Sequence, residues 1–245
     1  MTGSSDGAVV LLSGGLDSTV LLHEVCRMRR IQEMRRIHGL RGGEHVHALS
    51  YNYGQRHSKE LECAEWQALA LGVARHRIID VSFVREVVRG ASALVENGLD
   101  VPDLKDLATS QLDQPPTYVP HRNMMLLAIA AAYAEAQGIR DVFYGAQALD
   151  EYGYWDCTDE FVERVNQVLV LNRRNAITVH APFVRKKKFE IVQLGLELGV
   201  DFAHTWSCYR GGEQACGRCP TCVERLAAFR RAGAEDPLPY VHRQA

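Results

Sequence analysis

The sequence predicts an α/β fold: a doubly wound, mostly parallel sheet with a small zinc-binding segment of four cysteines at its C-terminal end. Three observations predict it. Short apolar runs alternate with segments of helical period, which implies parallel strands joined by right-handed crossovers. The chain has 245 residues, 47% hydrophobic and 24% charged, enough for one large domain with an appendage. Four of its seven cysteines fall between Cys208 and Cys222.

The elements follow in order. "AVVLL" (8–12) reads as a strand buried on both faces. From Thr19 onward Leu21, Val25 and Met28 recur at helical spacing. "HVHALSY" (45–51) is a second strand, followed by a helix with Leu61, Ala64, Ala68 and Leu71 on one face and Gly72 at its end. "RIID" and the following Val81 suggest a third strand. Residues 90–120 hold four of the eight prolines and read as a long loop or insertion. Met125, Ala128, Ile129, Ala132, Tyr133 and Ala136 predict a helix closed by Gly138. "DVFYG" (141–145) is a strand, "DEFVERVNQVLVL" a helix and "AITVHAP" a strand; helical spacing resumes from Lys186 through Ile191, Leu194 and Leu198. The expected division is an α/β domain over residues 1–203 and a metal-binding segment over 204–245 packed on it.

Net charge is −2 and the pI about 6.6, so no global positive field draws the chain to nucleic acid or to an anionic membrane. No apolar stretch approaches the roughly 20 residues that cross a bilayer. The start, "MTGSSDGAVV", lacks the basic and apolar regions of a signal peptide, so a cytoplasmic protein is expected. Clustered cysteines in a reducing compartment point to metal or redox chemistry before disulfides. The arginine-rich piece "RMRRIQEMRRIHGLRGGEH" (27–45) reads as a solvated helical extension, since no aromatic residues interleave as in a nucleic-acid contact.

"LLSGGLDSTVLL" (11–22) occupies the first strand-to-helix turn, at the sheet edge where ligands of such folds bind. Ser13, Gly14 and Gly15 let the backbone approach an anion, because no bulky side chain blocks it. Their N–H groups, with those of the next helical turn, can converge on phosphate. Ser18 and Thr19 add hydroxyl donors. An ionised Asp17 cannot donate, so beside phosphates it suggests a Mg²⁺ contact. The turn matches neither G-x-x-x-x-G-K-[ST] nor G-x-G-x-x-G. It resembles instead the S-G-G-x-D-S loop of PP-loop enzymes, which adenylate a carbonyl oxygen with ATP and release pyrophosphate. Leu12, Ser13, Gly14, Gly15, Leu16, Asp17, Ser18 and Thr19 are then the ATP-binding set.

At the other end, Cys208, Cys216, Cys219 and Cys222 are spaced C-x7-C-x2-C-x2-C. Two successive C-x-x-C steps bring sulfurs within reach of one ion. Four thiolates with no open position describe a structural Zn²⁺ site; ligation by four thiolates also suits an iron–sulfur cluster. Cys26, Cys63 and Cys157 read as small buried residues.

Taken together these motifs resemble the 7-cyano-7-deazaguanine synthase (QueC) family. Beyond the ATP loop, "YNYGQRH" (51–57), "YVPHRN" (118–123), "YGYWDCTDEF" (152–161), "HAPFVRKKKFEIV" (180–192) and the cysteine tail carry the resemblance. It implies that a 7-carboxy-7-deazaguanine carboxylate attacks the α-phosphate of ATP to give an acyl-adenylate. Ammonia then displaces AMP, and a second ATP activates the amide for dehydration to the nitrile. It further implies that Lys188 and Arg122, with Asp17, balance developing charge. Asn123, Tyr152 and Asp156 would bind the deazaguanine edge. The partners implied are the small-molecule substrates and a second copy of the chain in a homodimer. Four positions depart from the family pattern: His121 replaces a small residue, Trp155 a proline, Thr158 an arginine and Ala181 a threonine. Trp155 and His121 are expected to reshape the acceptor pocket. That motivates a second reading, in which the adenylated carboxylate is joined to another amine such as a protein. A third, tRNA thiolation, needs a reactive thiol among Cys63 and Cys157.

Overall fold

The computed structural model describes residues 5–36, 45–55, 59–95, 101–106, 116–147 and 154–243. Five parallel strands form one sheet in the order β3-β2-β1-β4-β5. They are β1 (Ser5–Leu11), β2 (Val46–Asn52), β3 (Arg75–Asp80), β4 (Ile139–Phe143) and β5 (Thr178–His180). The helices are α1 (Leu16–Arg36), α2 (Lys59–Leu71), α3 (Val84–Val87), α4 (Arg122–Ala136), α5 (Asp159–Leu169), α6 (Lys188–Glu197) and α7 (Pro220–Arg231). No helix among the described residues is long and apolar enough to cross a membrane.

Alternation along the strands splits the core in two. Ala8 and Val10 of β1 and Val46 and Ala48 of β2 face α1, α2, α6 and α7. Val9 of β1 and Leu49 and Tyr51 of β2 face α4 and α5. Side chains of period two on a sheet covered on both faces produce this division, and it is why Ala8, Val9 and Val10 are apolar in succession. Chain direction across the sheet reverses at β1, with β2 and β3 on one side and β4 and β5 on the other. Right-handed crossovers then put α1 and α2 on one face and α4 and α5 on the other. The reversal opens a crevice beyond the carboxyl ends of β1 and β4.

Helix α1 starts at Leu16, three residues before the hydrophobic period becomes visible at Thr19. Arg27 pairs with Glu24 on its own helix and Arg29 with Asp141 of β4, both at 2.7 Å. The arginine-rich piece therefore begins as helix; residues 37–44 lie outside the described ones.

Helix α7 has Pro220 at its first turn, where a missing N–H costs no helical bond. Its Ala228 and Phe229 join the α1 face of the core, so the C-terminal segment is packed into the main body. A third apolar cluster unites Ala93 and Val101 with Trp206, Leu238 and the buried cysteines. Arg225 of α7 is 1% exposed, and its guanidinium is surrounded by acceptors. Asp236 accepts from Nε at 2.7 Å and from Nη2 at 3.0 Å, Thr205 Oγ1 accepts at 2.8 Å and the Phe202 carbonyl at 3.1 Å. Tyr240 adds its hydroxyl to Asp236 at 2.6 Å. Removing one member of such a pair strands the other charge in a dry interior. Asp236→Ala is expected to cost about 3–5 kcal/mol, read as a lower denaturant midpoint at unchanged slope.

Candidate nucleotide cleft and metal centre

The crevice is a cleft of about 300 Å³. Its floor is the turn between β1 and α1. Ser18 Oγ accepts from Ser13 N–H (3.1 Å), lies 2.9 Å from Ser13 Oγ and donates to the Gly15 carbonyl (3.1 Å). Gly15 N–H donates to Ser13 Oγ at 3.2 Å. The two serines thus cross-brace the loop. The bond from Thr19 N–H to the Gly15 carbonyl (3.1 Å) opens the helix, so the amides just before it point out of its positive end.

Gly14 has φ +83°, and its carbonyl accepts from Trp206 N–H at 2.9 Å. A Cβ there would run into the Glu60 carbonyl and Ala64 N of α2, so only glycine lets that helix close on the loop. A Cβ on Gly145 would lie 3.3 Å from Ser18 N, so the exit of β4 also rests on the α1 end.

Leu12, Ser13, Gly15, Leu16, Asp17 and Ser18 line the cleft. Two members of the expected ATP set do not. Gly14 is behind the wall, and Thr19 is fully buried on the inner side of α1, its hydroxyl without a hydrogen bond among the described residues. Helical geometry turns the residue after Ser18 by about 100°, from cleft to core.

Lys188 arrives from the first position of α6. Its Nζ is 2.6 Å from Asp17 Oδ2 and 3.5 Å from Glu224 Oε2 of α7. Burial works against the ammonium, but Asp17 and Glu224 outweigh it and hold its pKa above the ordinary lysine value. Asp17 Oδ1 and Gln147 Oε1 are buried and without a hydrogen bond among the described residues. The orphaned carboxylate oxygen of Asp17 is a donor that fits a hard cation such as Mg²⁺, and Gln147 Oε1 is a further unpartnered acceptor of a residue lining the same cleft.

The same cleft is lined by Arg122 with Tyr53, Tyr154 and Tyr209 about it, and by Tyr144. The Arg122 guanidinium lies 5.7 Å from the Tyr53 ring centroid. Burial disfavours its charge, yet the guanidinium stays cationic, with the Asp156 carboxyl and the hydroxyls of Tyr53, Tyr209 and Tyr154 among its neighbours. Asn123 lines the cleft, its amide 3.5 Å from the Asp156 carbonyl and 3.5 Å from Cys157 Sγ. Asp156 is 3% exposed and does not line the cleft. Its carboxyl is pushed up by burial, and the nearby charge that pulls it back is Arg122, which does line the cleft. Tyr152 lies outside the described residues.

None of the four departures lines the cleft. His121 and Trp155 meet edge to face at 5.4 Å, and Tyr118 Oη accepts from both His121 N–H (3.2 Å) and Trp155 Nε1–H (2.9 Å). The expectation that they reshape the acceptor pocket is corrected: they make a small surface cluster, with Trp155 42% exposed. Thr158 caps α5 by accepting from Phe161 N–H at 3.2 Å, and Ala181 packs under the α5 face. Cys157 does line the cleft, but burial pushes its thiol up to about 12. Cys63 is raised by burial to about 11. Neither is the thiolate that thiolation needs.

Cys208, Cys216, Cys219 and Cys222 bring their sulfurs within 4.8 Å of one another. Backbone N–H groups of Cys216, Arg218 and Cys219 donate to these sulfurs at 3.3–3.4 Å, as a metal knuckle requires of its outer shell. Cys208, Cys219 and Cys222 are at most 1% exposed, which closes the site to substrate. The donor set fits a structural metal ion. Its position matters to the cleft, because Thr221, Glu224 and Arg225 on the same helix line the wall.

Residue motifs did not reveal Glu60, Gln147 or Glu224 as part of the cleft. Glu224 follows the last cysteine with no pattern of its own, and only the packing of α7 on α6 brings it to Lys188.

A family model described as queuosine biosynthesis protein QueC matches residues 7–233. The 7-cyano-7-deazaguanine synthase of Caldicellulosiruptor bescii is 44% identical over 95% of this chain and 96% of its own. That of Thermoplasma acidophilum is 43% identical over 95% and 91%. Among solved structures, the NMN synthetase from Francisella tularensis is 15% identical, covers 94% of this chain and 78% of its own, and has a TM-score of 0.47. A family match of this extent, with relatives at this identity, leaves one assignment: the chain belongs to the QueC family.

Proposed function

We propose that this protein makes 7-cyano-7-deazaguanine from 7-carboxy-7-deazaguanine, ammonia and ATP, as an ATP-dependent ligase. The observation that carries the reading is one cleft lined by two unlike groups of residues. An amide-lined loop with Lys188 shares the cleft with Arg122 and the tyrosines about it, Tyr53, Tyr154 and Tyr209. The loop suits a triphosphate and the tyrosines suit a flat heterocycle. Arg122 suits the acceptor carboxylate, which it would hold in line with the α-phosphate.

In this scheme the carboxylate oxygen attacks the α-phosphate and pyrophosphate leaves. Lys188 and the loop amides stabilise the charge that gathers on the departing group. Mg²⁺ held by Asp17 would neutralise part of the same charge. Ammonia then forms the C–N bond as the C–O bond to AMP breaks, and a second ATP activates the amide oxygen for loss to the nitrile. Asn123 and Arg122 position the acceptor throughout. The four cysteines would hold Zn²⁺ outside the chemistry, as a brace for the Glu224 wall.

Joining the carboxylate to a protein amine loses its motive once the four departures lie off the cleft. The test is direct. Incubation with 7-carboxy-7-deazaguanine, ATP, Mg²⁺ and ammonium should give, by mass spectrometry, the amide and then the nitrile. Consumption of ATP with no nitrile at long times would overturn the reading.

A further inference from the structure

Three carboxylates line the described cleft: Asp17, Glu60 and Glu224. Asp17 is held by Lys188 at 2.6 Å, and Glu224 by Lys188 and by the Gln147 amide at 3.4 Å. Glu60 makes no hydrogen bond or ion pair through its side chain among the described residues. It sits in the first turn of α2, whose Glu60 carbonyl abuts Gly14, so it is keyed to the shoulder of the phosphate loop. Across from it stand Arg122 of α4 and Tyr53 beyond β2. On its own helix, Cys63 is protonated and Lys59 is turned away, over the Trp206 ring at 4.1 Å and onto the Glu213 carbonyl.

We propose that Glu60 is the base of the amination step: it receives ammonium in the cleft and takes one of its protons, so that ammonia attacks the acyl-adenylate. The proposal rests on the adenylation reading above. Ammonium is the form present at neutral pH, and it carries no lone pair. Transfer of one proton to Glu60 frees that pair. The nitrogen then bonds to the acyl carbon, sheds a further proton to solvent, and AMP departs with the electrons of the C–O bond. A base for this task must not be committed to a hydrogen bond or a close ion pair, and must be matched in proton affinity to the working pH. Burial raises the Glu60 carboxyl to about 7 against the opposing pull of Arg122. Below that pH it is protonated and cannot accept, so amination should fall off on the acid side.

The experiment separates the two half-reactions in the full-length enzyme. Glu60→Gln is expected to lower amide formation from ammonium chloride at least tenfold, while ATP–pyrophosphate exchange with 7-carboxy-7-deazaguanine falls less than threefold. Hydroxylamine, already neutral near pH 7, should restore C–N bond formation in Glu60→Gln to near the wild-type rate. The acid limb near pH 7 in the wild-type ammonium profile should be absent with hydroxylamine. A buried acid with a raised pKa weakens the fold as pH climbs from the ordinary carboxylate range to that raised value, and the full penalty persists above it. Glu60→Gln should therefore melt no lower than wild type above neutral pH. Wild-type amide formation by Glu60→Gln, or equal loss with both nucleophiles, overturns the proposal. No pyrophosphate exchange in the wild type would overturn the functional reading instead, and the proposal with it.

Discussion

Asp17→Asn is expected to slow pyrophosphate exchange by about a hundred- to a thousandfold, the usual loss when one preorganised charge is taken from a reaction centre. The two oxygens of Asp17 have separate tasks. Oδ2 holds Lys188 at 2.6 Å, and Oδ1 is buried without a hydrogen bond among the described residues, open to a cation. Asparagine keeps the shape and removes the charge from both. Lys188 would then keep Glu224, at 3.5 Å, as its counter-charge. With Asp17 present, Lys188 stays an ammonium through the neutral range, since its pKa lies above the ordinary value. Without it, burial has less opposing it, and the charge should be lost at a lower pH. The check is exchange kinetics across a Mg²⁺ titration and an alkaline pH series. Asp17→Asn should need more Mg²⁺ and show an earlier alkaline limb. Exchange within tenfold of wild type at ordinary Mg²⁺ would remove Asp17 from the charge-stabilising role.

Loss of the metal is expected to be the largest single blow to stability. Structural Zn²⁺ contributes about 10–16 kcal/mol in isolated fingers. In a chain with its own core, a loss on the order of 5 kcal/mol is expected, a drop in Tm of roughly 10–20 °C. Cys222→Ser or a strong chelator should produce it, with metal analysis falling from one ion per chain to none. Activity should fail below the new Tm as well. Cys219 precedes α7 and Cys222 is in its first turn, so an ion held there would fix the start of the helix that presents Glu224 to Lys188. A chelated protein with unchanged melting and exchange would show that the four sulfurs need no metal.

Much of this was legible in the chain. The strands β1, β2 and β4 were visible as apolar runs because their central residues are covered on both faces of the sheet. The Ser-Gly-Gly turn after β1 was visible because the tight passage from strand to helix against α2 restricts residue type along consecutive positions. Helix α7 was not anticipated: its apolar residues follow directly on the cysteines, whose spacing dominates the segment. Glu60 and Glu224 were hidden for another reason. Each is an ordinary acid on a helix, and its role depends on which helix lies opposite. His121 and Trp155 misled in the same way, since residue identity at a motif position does not say whether the side chain faces the cleft or the solvent. Here the hydroxyl of Tyr118 gathers both outward.

The counter-ion of Arg225 comes from residue 236, after every strand and helix described has been made. A chain that has emerged only through α7 holds a guanidinium that cannot be buried without its partner, so closure of that wall waits on Asp236. The stretch around residues 236–240 thereby completes two things at once, the counter-charge of Arg225 and, through Leu238, the third apolar cluster, so the cleft wall and the metal knuckle are sealed by the same few residues.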